Sequence, residues 1–95
     1  MQIVWTRRYL LELTRIGDYI AAHNPRAAAR IVNDIHSKTR RLLSDNPFIG
    51  RRGEIKDTRE LVIPGTPYIF AYRVGDTQIE ILFVQHGARD WPDDA

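Results

Sequence analysis

Tyr68-Ile69-Phe70-Ala71-Tyr72-Arg73-Val74-Gly75-Asp76-Thr77-Gln78-Ile79-Glu80-Ile81-Leu82-Phe83-Val84-Gln85 is the stretch on which the fold turns. Two runs rich in aromatic and β-branched residues flank Gly75-Asp76, and such runs around a two-residue turn signal predict a β-hairpin. Glycine in the first turn position predicts a type II′ connection. That turn sets Val74 opposite Thr77, Tyr72 opposite Ile79, Phe70 opposite Ile81 and Tyr68 opposite Phe83. The face so formed is apolar almost throughout and is predicted to pack on helices. The other face carries Ile69–Leu82, Ala71–Glu80 and Arg73–Gln78 and runs on to Val84 and His86. It is mixed, and a second molecule is expected there.

Upstream of the hairpin, Arg59 to Ile63 reads as a further strand, with Pro64-Gly65-Thr66-Pro67 as the turn after it. Phe48 to Asp57 is a loop rich in Gly and Arg. Two helices precede it. Thr6 is placed to cap the first, and Leu10, Leu13, Ile16 and Ile20 recur at the steps of an inward stripe. Asn24 caps the second, with Pro25 in its first turn, where the missing N–H loses no hydrogen bond. Ala28, Ile31, Val32, Ile35, Leu42 and Leu43 follow helical spacing until Asn46-Pro47, since a residue before proline resists the helical region. Gln2–Trp5 is a short β-rich start. The reading is a single domain over residues 1–95 of class α+β: an N-terminal strand and a two-helix antiparallel hairpin packed on one face of a small, mainly antiparallel sheet.

The chain has 95 residues, 43% hydrophobic and 27% charged, the balance of an ordinary globular domain. It has no cysteine, which excludes disulfides, thiolate metal sites and a cysteine nucleophile. No apolar run approaches the length of a membrane span, and no basic head precedes an apolar run at the N-terminus. A cytoplasmic location without membrane contact is therefore expected. The charge is uneven: Lys38 to Arg59 holds seven basic and three acidic residues, whereas Asp90 to Ala95 contains three Asp. A basic middle points to an anionic partner, nucleic acid or an acidic protein segment.

The sequence has no phosphate-binding glycine loop, no HExxH and no GxSxG. No cofactor and no metal are expected. His86 is the candidate acid or base, because imidazole titrates near neutrality. Arg59, Arg73 and Arg89 are candidate anion contacts, because guanidinium groups pair with phosphate and carboxylate. The alternative for His86 and Arg89 is that they anchor the C-terminal tail, with Trp91-Pro92 as an apolar plug.

Asn24-Pro25-Arg26-Ala27-Ala28, Asn46-Pro47-Phe48-Ile49-Gly50-Arg51, Thr58-Arg59-Glu60-Leu61-Val62-Ile63, Tyr72-Arg73-Val74 and His86-Gly87-Ala88-Arg89-Asp90-Trp91-Pro92 follow one another along nearly the whole chain. In this order the segments resemble the RelE/ParE superfamily, the toxins of type II toxin–antitoxin systems. The resemblance implies a growth-inhibiting toxin neutralised by a cognate antitoxin protein. Its RelE-like members cleave mRNA on the ribosome without a metal; its ParE-like members poison DNA gyrase. The mRNA-cutting members carry an Arg three residues before the Tyr that matches Tyr72, where this chain has Ile69. Lys56 or Arg59 matches their basic residues on the preceding strand, and His86, or less well Trp91, their C-terminal acid/base group. The apolar Ile69 favours the ParE-like branch and gyrase, with mRNA cleavage and a non-toxic interaction module as alternatives. Arg59, Arg73, His86 and Arg89 are then expected to contact the target. His86, Arg73 and Arg89 become catalytic only if the protein is a nuclease. Leu10, Leu13, Ile69 and Leu82 are expected to contact the antitoxin, and the isolated chain is expected to be a monomer.

Overall fold

In a computed structural model, which describes residues 1–87, the order of elements is β1 (Gln2–Trp5), α1 (Arg7–Ala21), α2 (Pro25–Asp45), β2 (Arg51–Arg52), β3 (Arg59–Val62), β4 (Tyr68–Val74) and β5 (Gln78–His86). The sheet order is β1-β5-β4-β3-β2, antiparallel except for the parallel pair β1–β5. The α+β architecture read from the sequence is the one observed. The segment expected to be loop contains the two-residue strand β2, with Arg51 opposite Glu60 and Arg52 opposite Arg59.

Both helix starts are capped as their sequences predict. Thr6 Oγ1 accepts from the Tyr9 N–H at 3.3 Å, and Asn24 Oδ1 accepts from the Ala27 N–H at 3.1 Å. The helices approach closely at Gly17, where an added Cβ would stand 3.0 Å from a Val32 methyl. The core joins Tyr9 and Leu13 of α1, Ile35 and Leu43 of α2, and the inner face of the sheet. Fully burying such a side chain contributes roughly 1.5–3 kcal/mol. One position of the expected α1 stripe is displaced. Tyr9 is fully buried and Leu10 is exposed, because Tyr9-Leu10-Leu11 is apolar at every step and spacing alone does not choose among them. Leu13, expected to meet an antitoxin, is core.

The hairpin register differs from the expected one. The chain turns over Asp76-Thr77, Gly75 donates its N–H to the Gln78 carbonyl at 2.8 Å, and Gly75 does not take a positive φ. Val74 therefore pairs with Ile79 and Tyr72 with Ile81. A bulge follows: Ala71 pairs with Phe83, Phe70 with Val84, Ile69 with Gln85 and Tyr68 with His86, which leaves Leu82 as the extra residue. Past the bulge the faces exchange. Val84 joins the core on the helix side, and Phe83 lies on the opposite face beneath the Arg8 guanidinium, 4.7 Å from its ring centre. The cause is at Thr6. Its hydroxyl lies against the Ile81 carbonyl and donates to that of Leu82 at 3.0 Å, and its N–H donates to Ile81 at 3.3 Å. Successive carbonyls of a regular strand point to opposite sides, so one hydroxyl facing both holds the strand in its bulged form.

A second polar contact ties α1, α2 and β1 together. The Tyr9 hydroxyl and His36 Nδ1 are 3.2 Å apart, and the His36 ring lies 4.0 Å from that of Trp5. Burial raises the Tyr9 pKa, so its hydroxyl stays protonated. Burial and then the neighbouring Arg40 lower the His36 pKa, so its ring stays neutral.

Replacing Thr6 by Val removes the cap and the bulge contact together and is expected to cost about 1–2 kcal/mol in urea unfolding. A value within about 0.5 kcal/mol of zero, the range of an ordinary surface change, would contradict the role given to Thr6. Because His36 binds its proton less readily folded than unfolded, its contribution favours unfolding as pH falls through the ordinary histidine range. His36→Gln is expected to flatten the loss of stability between about pH 7 and 5, and an unchanged slope would assign that loss elsewhere.

Candidate functional site: a basic cleft at the end of the sheet

The basic segment after α2 is held in shape by buried polar contacts. The Asn46 side chain accepts from the Phe48 N–H at 3.0 Å and turns the chain out of the helix. Gly50 then lies directly on the sheet and donates its N–H to the Tyr72 hydroxyl at 2.8 Å. Only glycine fits: a Cβ would stand 2.7 Å from that hydroxyl and 2.8 Å from the Glu60 carbonyl. Glu60, 5% exposed, accepts from Arg51 Nη2 and from the Glu54 N–H, each at 3.1 Å. Arg59 Nη1 donates to the Gly50 carbonyl at 2.8 Å, and its guanidinium lies 5.1 Å from the Phe48 ring centre. Asp57 takes a φ of 61°, and Gly53 donates to the Thr58 carbonyl at 2.8 Å, which closes the loop. A non-glycine residue in the left-handed region is uncommon, and Asp is among the types that tolerate it.

These contacts enclose a cleft of about 600 Å³ between the loop and the ends of β3 and β4. Arg52, Lys56, Arg59 and Arg73 line it, with Phe48 at one side and Asp57 as its acidic member. Arg73 approaches the Lys56 carbonyl at 3.5 Å. Burial pushes the Tyr72 pKa up, while the Gly50 N–H and the Arg59 charge pull it the other way, so the phenol stays neutral. The lining contains no histidine. The cleft can attract and orient an anion.

The candidate residues divide between two places. Arg59 and Arg73 share the basic cleft, together with Lys56. His86 pairs with Tyr68 at the open end of the hairpin, five residues along β4 from Arg73, or about 17 Å at the usual rise per strand residue. It lines a separate cleft of about 380 Å³ with Glu12, Ile16, Tyr19 and Tyr68, its ring edge-on to Tyr68. Arg89 and Trp91 lie outside the described residues. Ile69 and Leu82 are half-buried, Ile69 opposite Gln85 rather than Leu82. Sequence reasoning missed Arg52 and Phe48 as lining residues, and Gly50, Glu60 and Tyr72 as the supports of the loop. The Gly50-Arg51-Arg52-Gly53 run was the available signal.

The family described as "ParE toxin of type II toxin-antitoxin system, parDE" matches residues 3–91. Y4kP of Sinorhizobium fredii, which carries a provisional toxin name, is 45% identical over 96% of this chain and 93% of its own length. Toxin RelE2 of Caulobacter vibrioides is 35% identical over 93% of this chain and 97% of its own. A solved structure of the chromosomal ParDE system from P. aeruginosa superposes with a TM-score of 0.83 at 28% identity, covering 90% of this chain and 95% of that one.

If the Tyr72 hydroxyl supports the loop, Tyr72→Phe leaves the buried Gly50 N–H without its acceptor and is expected to cost about 1–3 kcal/mol. Urea unfolding measures this, and a neutral substitution would show that the loop is held by Glu60 and Arg59 alone.

Proposed function

The chain belongs to the ParE toxin family of type II toxin–antitoxin systems, and from that premise we propose that it arrests growth by binding DNA gyrase, without a chemical step of its own, until a cognate antitoxin covers it. The carrying observation is the basic cleft. Its cations are gathered in one place with no histidine among them, and His86, the candidate proton carrier, stands at the other end of the hairpin. Transesterification of RNA needs a base, an acid and phosphate stabilisation at one point. Ile69 supports the same reading, since the mRNA-cutting branch places an Arg there. Arg59 and Arg73 are the proposed target contacts. Leu10, Ile69 and Leu82 remain as apolar positions for the antitoxin.

One observation favours a second reading: a relative of this chain bears the name RelE2. Purified components separate the two. The expected outcome is that the protein blocks supercoiling of relaxed plasmid by gyrase and leaves a translated message intact in primer extension. Arg73→Glu is expected to weaken the block at least about tenfold, since charge pairs across interfaces couple by 1.5 kcal/mol or more. Arg73 is half-buried on β4, so circular dichroism of the variant checks that it is folded. Codon-phased, ribosome-dependent cuts with undisturbed supercoiling would overturn the proposal.

A further inference from the structure

We infer that the basic cleft seats a short acidic peptide segment carrying an aromatic or aliphatic side chain, and that the neutralising partner supplies this segment. The identity of the supplier rests on the function proposed above; the chemistry of the seat does not.

Three observations carry the inference. The first is charge left uncompensated. Among the described residues the ion pairs are Arg15–Glu12 and Arg51–Glu60, and neither involves Arg52, Lys56, Arg59 or Arg73. Asp57 lines the same cleft yet pairs with none of these four cations within 4.0 Å. Four like charges that share a cleft with one carboxylate and form no ion pair among the described residues favour an incoming anion, and guanidinium forks match carboxylates in pairs.

The second is preorganisation. The loop is already fixed by Tyr72, Glu60 and Arg59, so a ligand does not have to order it on arrival. Arg59 is itself held in place: one of its nitrogens is committed to the Gly50 carbonyl and its guanidinium lies over Phe48.

The third separates peptide from nucleic acid. Phe48 stands 56% exposed at the cleft, and Ile55 and Val74 also line it. A phosphate backbone uses a basic track along the surface; here the four cations line one pocket that also holds Asp57. An acidic segment with one apolar side chain satisfies both halves of the lining, with carboxylates on the arginines and the apolar group on Phe48.

A fluorescein-labelled dodecapeptide of alternating Glu/Asp pairs and Phe or Leu, titrated with the full chain and followed by anisotropy, tests this. Saturable binding is expected, weakening at least about tenfold between 0.1 M and 0.5 M NaCl as screening shortens. Arg73→Glu and the milder Lys56→Gln should each weaken it, whereas Phe48→Ala should weaken it several-fold and leave the salt dependence unchanged. Circular dichroism of each variant confirms folding, and Lys56→Gln keeps the test open if Arg73→Glu does not fold. Labelled dT12 should bind more weakly than the peptide. Absence of peptide binding, or tighter binding of dT12 through the same residues, would overturn the inference. No gyrase enters the assay, so failure of the gyrase reading leaves its result intact.

Discussion

Leu82 has no cross-strand partner, and the arrangement of the sheet follows from that vacancy in the ladder. Without the bulge, Phe83 would face the helices and Val84 and His86 would face away. With it, Val84 completes the core beneath α1, and Phe83 lies on the opposite face under Arg8. The bulge is held by Thr6, the residue that follows β1 and caps α1. One hydroxyl thus couples the parallel strand pair, the first helix and the register of the hairpin. A lost cap and a slipped register are the same event here.

The cleft depends on this frame through Tyr72, which borders the bulge on β4. Its side chain stays on the core side, and its hydroxyl reaches past the hydrophobic interior to the Gly50 N–H. The loop that carries the basic residues is therefore suspended from the core rather than from its own short strand. Glu60 adds a buried carboxylate that neutralises Arg51 and accepts from Glu54, which removes one arginine from the charge available to a ligand. Arg52, Lys56, Arg59 and Arg73 remain. A held group of cations that forms no ion pair among the described residues is suited to recognition.

All the strands but β2, both helices, their caps and the α+β class were legible in the sequence, because each rests on local chemistry: Thr6 and Asn24 before apolar periods, Pro25 in a first turn, Asn46-Pro47 at a helix end. The register was not. Ile81-Leu82-Phe83-Val84 is apolar at every position, so alternation stops carrying information just where the bulge sits. Tyr9-Leu10-Leu11 hid the inward position of α1 for the same reason. Arg59 and Arg73 were legible as candidates, but the loop supports were not, since the need for glycine at position 50 comes from Tyr72, twenty-two residues away. The separation of Arg73 from His86 could have been read directly: one lies beside the hairpin turn, the other at its open end.

The central claim is that the protein acts through a cationic surface and not through a proton-transferring histidine. Growth after induced expression of His86→Ala and of the Arg59→Glu/Arg73→Glu double variant, with equal soluble protein verified, tests it most directly. Arrest that survives His86→Ala and disappears in the double arginine variant is the result predicted. Arrest abolished by His86→Ala and retained without the two arginines would contradict it.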